Sequence, residues 1–171
     1  MAKNTLTIEL SKESLNQAIE YLKRYKNAYE KGVSNAIEYA TELMYEKVKQ
    51  YCYDNGILNH TNNIYMEYDY IKNTGKVWTN DMVLIFNEMG TGITGLNNPH
   101  PNPSEAFKSW KYDVNEHGEK GWYYPKDDGS YGWTKGLPSR HMFFDSFNEI
   151  KKEIGDIVNV EIRKTVGDLY W

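Results

Sequence analysis

From Leu15 to Val48 apolar side chains return at steps of three and four: Leu15, Ala18, Ile19, Leu22, Tyr25, Tyr29, Val33, Ala36, Ala40, Leu43, Met44 and Val48. That spacing predicts one long amphipathic helix whose apolar stripe must be covered by another element. Ser11 or Ser14 is placed to cap its start, and Asp54-Asn55-Gly56 stops it after Tyr51 or Tyr53. Gly32 is the one position where it can bend or divide, since Gly costs about 1 kcal/mol against Ala in a helix interior. At 171 residues the chain has room for one sizeable core around such a helix, so a single domain over 1–171 is expected.

Elsewhere the period changes. Residues 5–10 alternate, with Leu6, Ile8 and Leu10 on one side, as a short strand does. Between Asn63 and Glu88 the period is two: Ile64, Met66, Tyr68 and Tyr70, then Val77 and Trp78, then Met82, Leu84 and Phe86 alternating with Val83 and Ile85. Turns at Asn73-Thr74-Gly75 and Asn80-Asp81 join these runs into an expected three-stranded antiparallel meander. Three prolines in residues 97–109 make a loop. Trp110 to Val114, Gly121 to Tyr124 and Tyr131 to Trp133 then read as strands, the last two joined through Asp127-Asp128-Gly129-Ser130, so that 97–135 forms an aromatic-rich β insertion on the sheet. After Pro138, with Ser139 as the expected N-cap, Phe143, Phe144, Phe147, Ile150, Ile154, Ile157, Val158, Ile162 and Val166 mark a second amphipathic helix. The fold class is therefore α+β: an antiparallel sheet packed against a long N-terminal and a C-terminal helix.

Gly90, Gly92 and Gly95 have the G-x-G-x-x-G spacing that cradles a dinucleotide pyrophosphate, a geometry that needs a βαβ unit with a helix directly after the glycines. Here an antiparallel strand is expected before them and Leu96-Asn97-Asn98-Pro99-His100-Pro101 follows, so the glycines are read as serving a turn out of the sheet. Asp113 to Gly118 begins like a calcium loop, but His117 and Tyr124 occupy positions that need oxygen ligands. His60, His100, His117 and His141 lack the close pairing of zinc ligands, and Cys52, at the end of the long helix, reads as a core residue. Ser139 and His141 point different ways on a helix start, and Glu67 with Asp69 reads as a solvated strand face. No cofactor, metal or catalytic set emerges, and an enzyme is not expected.

Charge excludes more. Residues 54–138 hold seven basic against eleven acidic side chains within a net charge of −4, which disfavours electrostatic capture of nucleic acid or an anionic membrane. One cysteine forbids an intrachain disulfide, and no N-terminal apolar run resembles a signal peptide or a membrane span, so a cytosolic origin is expected. Aromatic content is high, 15 Tyr, 5 Trp and 5 Phe, and suits surfaces that meet other surfaces. Trp110, Trp122, Tyr123, Tyr124, Tyr131 and Trp133 form the expected contact cluster; stacking on sugar rings, as in a small carbohydrate-binding module, is the alternative use of the same side chains.

The order of elements, with Glu88, Gly90, Thr91 and Gly92 at the end of the meander and Pro138, Phe143 and Phe144 opening the last helix, resembles the gene-product-10-like minor tail component family of tailed bacteriophages. Met89 stands where that family's pattern has an aromatic residue, and Asn55-Gly56-Ile57-Leu58 stands for its Thr-Gly-x-Leu turn. The resemblance covers most of the chain outside 97–135. It implies a structural virion protein, a tail-completion or neck subunit that assembles in the host cytoplasm with copies of itself into a hexameric ring. Such a ring joins the head–tail connector to the tail terminator and tail tube and lets DNA pass without binding it. An acidic middle fits a channel that must not hold DNA.

Overall fold

A computed structural model describes residues 11–103, 107–113, 115–126 and 128–167. The strand expected over 5–10 lies outside the described residues. The long helix, α1, runs unbroken over Lys12–Asp54, 43 residues and about 64 Å. Ser11 caps it, its side chain accepting the Ser14 N–H. Gly32 neither bends nor divides it. A Cβ there would fall 2.6 Å from Thr165 Oγ1 and 2.7 Å from Ile162 Cα, so the missing side chain is what lets the last helix approach.

That last helix, α4 (Met142–Val166), lies antiparallel along the second half of α1. At one end Cys52 meets Met142, beside Val48, Ile57, Ile64 and Leu84; farther along, Ala36 and Ala40 pack on Ile150 and Ile157. Glu149 ties the helices, its carboxylate accepting Lys47 Nζ at 2.7 Å and the Tyr51 hydroxyl at 2.6 Å. These two donors hold Glu149 below the ordinary carboxylate range, and the same bond pushes Tyr51 up to about 12.

The meander is only a hairpin. After a 3₁₀ turn over Leu58–Asn63, β1 (Ile64–Asp69) pairs antiparallel with β2 (Thr74–Thr79), Tyr65 opposite Trp78 and Met66 opposite Val77. It lies on α1, with Gly75 against Thr41 and the Tyr68 hydroxyl bonded to the Ser34 carbonyl. The expected third strand is instead a helix, α2 (Met82–Met89). Met-Val-Leu-Ile-Phe is apolar on every face and satisfies either period; the deciding residue is Asp81, read as a turn but acting as the N-cap, its Oδ1 accepting the Val83 N–H at 2.8 Å. Burial pushes the Asp81 carboxyl up, but bonds from His60, Asn63 and the Val83 amide outweigh it and hold the group below its ordinary value.

A second short helix, α3 (Gly92–Asn97), contains Gly92 and Gly95 where a turn out of the sheet is expected, and past Gly95 it runs only through Leu96 and Asn97. It ends before Pro99, whose ring forbids its continuation. Residues 107–113 are not a strand, and Val114 lies outside the described residues. Further on, β3 (Trp122–Pro125) and β4 (Tyr131–Thr134) form their own two-stranded sheet rather than extending the first. The molecule is α+β, with two small antiparallel sheets and the two long helices as its frame. No described helix is long and apolar enough to cross a membrane.

Candidate functional site

The segment 88–95 and the segment 135–144 meet edge to edge. Thr91 and Leu137 exchange backbone bonds, N to O at 2.9 and 3.1 Å, and the Arg140 amide donates to the Asn87 carbonyl at 2.7 Å. Ser139, the expected N-cap of α4, does not cap it; its hydroxyl donates to the Glu88 carbonyl. The N-cap position is held by His141, in the left-handed region at φ 53° and with no side-chain cap bond of its own. Glu88 takes over that task from 55 residues away. Its Oε2 accepts the Phe143 N–H at 2.9 Å and its Oε1 the Phe144 N–H at 3.0 Å, so one carboxylate satisfies two of the orphan amides of α4 and faces the positive end of its dipole. His100, buried, donates from Nε2 to the same carboxylate at 3.1 Å and accepts the Asn102 N–H at Nδ1, which sets its tautomer.

The glycines explain themselves here. Gly90 sits at φ 80°, and a Cβ on it would strike the Ser139 amide at 2.8 Å. Gly92, at φ 60°, would place a Cβ 2.4 Å from the Lys135 carbonyl. Nor is there a phosphate cradle: the amides of Thr91, Gly92 and Thr94 already donate to the carbonyls of Leu137, Tyr112 and Lys135. Of the residues that carry the resemblance, Glu88, Gly90, Thr91, Gly92, Phe143 and Phe144 stand together in this junction, and Pro138 lies in the strand-like segment that pairs with it. The bonding of Glu88 and the part played by His100 were not legible from spacing, because both are contacts between distant segments.

Four of the six aromatic candidates converge. Trp110, Trp122, Tyr123 and Tyr124 line an open groove of about 1030 Å³ together with Phe86, Phe107 and Tyr112, which were not part of the expected contact cluster. Trp110 is anchored by its indole N–H on the Gly90 carbonyl at 2.9 Å, and Trp122 is stacked near His117, ring centres 4.8 Å apart. Tyr131 and Trp133 stand outside the groove, 71% and 52% exposed. Asp113, at the groove wall, spends its carboxylate on the amides of Gly118 and His117, and these bonds lower its pKa. Among the described residues no three His, Cys, Asp or Glu side chains are grouped as a metal site. Cys52 is buried, and that burial, with the Glu88 charge adding, pushes its thiol up to about 11. No protein-family model, curated protein or solved structure matches the chain.

Proposed function

We propose that the chain is a structural subunit of the neck of a tailed bacteriophage, a tail-completion protein that forms a ring between the head connector and the tail tube. The observation that carries this reading is the Glu88 junction. The two segments on which the resemblance rests bind each other directly, so the likeness belongs to one structural unit and not to scattered matches. A ring subunit also needs broad contact surfaces on more than one side, and the aromatic groove, the exposed Tyr131 and Trp133 and the apolar face of α1 supply them. DNA passes through such a ring without being gripped, in keeping with the acidic middle of the chain. The test is negative-stain imaging of the purified protein with isolated connectors and tails. Decoration of tail ends or connectors supports the neck reading; tight, salt-sensitive DNA binding with no decoration sinks it.

A second reading draws on the groove itself. Trp110, Tyr112, Trp122 and Tyr124, flanked by Asp113 and Asn115, offer stacking faces beside hydrogen-bonding groups, as a small carbohydrate-binding module does. A glycan array followed by quenching of Trp fluorescence decides it: saturable binding by a stable monomer favours the sugar site, and silence across the array removes it.

A further inference from the structure

Among the described residues α1 continues well past the end of the helix that covers it. With Thr165 beside Gly32, residues 12–31 extend about 30 Å beyond the α1–α4 contact. On this overhang Leu15, Ile19, Leu22, Tyr25 and Tyr29 are 41 to 56% exposed. They continue the stripe that α4 covers from Gly32 onward through Ala36 and Ala40, and they stay open to solvent although Ala18 between them is buried. Leu15, Ile19 and Leu22 stand at i, i+4 and i+7, the anchor spacing of a helix that lies in an apolar groove.

The chain also carries such a groove. Between β2 and α4 two hollows of about 570 and 220 Å³ join through Lys76, Val77 and Phe147. Phe143 and Phe144 line one end and Ile154 the other, with Phe147 52% exposed between them. From Phe143 to Ile154 the groove follows about 16 Å of α4, the length of three helical turns, which matches the ridge from Leu15 to Tyr25. Ridge and groove cannot meet within one molecule: the groove borders Ile37 to Met44 of the same unbroken helix.

We infer that the overhang of one copy lies in the β2–α4 groove of the next, head to tail. Such a heterologous contact generates a closed ring when its rotation closes. In naming the surfaces that join the subunits, the inference rests on the ring reading. The five half-exposed side chains present on the order of 400–500 Å² of largely apolar ridge, the size of the largest apolar patch on an ordinary monomer, which is often a functional surface. With the groove surface added, one contact removes roughly 1,000 Å² from water, the low end for a specific interface, and each ring subunit makes it twice.

Sedimentation of the purified protein tests this with Leu22→Glu on the ridge and Phe147→Glu in the groove, both at exposed positions, with folding followed by circular dichroism and Leu15→Lys as a second ridge variant. Each variant alone is expected to associate at least tenfold more weakly than the parent. The decisive sample is the equimolar mixture. One variant keeps its groove and the other its ridge, so the mixture forms a heterodimer and nothing larger. If Phe147→Glu associates like the parent while Leu22→Glu does not, the contact is ridge to ridge and the inference falls; it falls also if the parent stays monomeric or if folded variants assemble unchanged. Association of this kind without decoration of connectors or tails removes the neck reading and leaves the contact standing, whereas decoration by rings indifferent to both variants does the reverse.

Discussion

The carboxylate of Glu88 sits on the backbone amide of Phe143 at 2.9 Å, and through it the end of α2 holds the start of α4. The first turn of α4 has no cap of its own, so this bond and its partner to Phe144 replace one. Glu88→Gln keeps one good acceptor and loses the charge facing the helix dipole; a cost of about 1–2 kcal/mol is expected. Glu88→Ala leaves both amides and His100 without the acceptor and is expected to cost about 2–4 kcal/mol. Urea unfolding of the two variants measures both, and equal, negligible losses would show that α4 starts without help.

Two glycines in helices should respond in opposite directions. At Gly32 a methyl group meets Ile162 Cα at 2.7 Å, so Gly32→Ala must push α1 and α4 apart; about 1–3 kcal/mol of lost stability is expected. At Gly155, inside α4, an added Cβ meets nothing within 4 Å, and Gly155→Ala is expected to gain about 0.5–1 kcal/mol from helix propensity. Thermal melts of the pair separate a packing requirement from a propensity cost.

Asp81 links acidity to the fold. Its carboxyl is held below the ordinary 3.8, so the stabilisation it adds is fully present above that value and disappears as pH falls through the lower folded value. Asp81→Ala should therefore cost about 1 kcal/mol near neutral pH and flatten the stability profile below about pH 4. Melting temperatures from pH 7 down to pH 2 report this; a parent and variant that lose stability in parallel would exclude Asp81 as the source.

Trp122 and Trp133 are neighbours in sequence pattern but not in role. Trp122 packs on Gly92, where its ring carbons lie 2.8 Å from the site of a Cβ, and Trp133 is half exposed. Trp122→Ala is expected to lower stability by about 2–4 kcal/mol, and Trp133→Ala by less than about 0.5 kcal/mol. Assembly should weaken in the Trp133 variant at unchanged melting temperature.

Periodicity was sufficient for α1 and α4, because long amphipathic stripes have only one regular solution, and turn residues were sufficient for the β1–β2 and β3–β4 hairpins. It failed at Met82 to Phe86, where five consecutive apolar residues carry no period and only the cap at Asp81 distinguishes helix from strand. Gly32 was legible as exceptional but not in purpose, since its reason lies on Ile162 and Thr165. The candidate site was half legible for the same reason. Glu88, Gly90, Phe143 and Phe144 could be picked out through a resemblance, but a carboxylate that caps a helix 55 residues away leaves no local pattern.

Native mass spectrometry of the purified chain, with negative-stain images of the same sample, is the sharpest test of the proposed ring. Closed rings of a single copy number, free or seated on connectors and tail ends, are expected. A protein that remains a monomer at every concentration and decorates neither structure would contradict it.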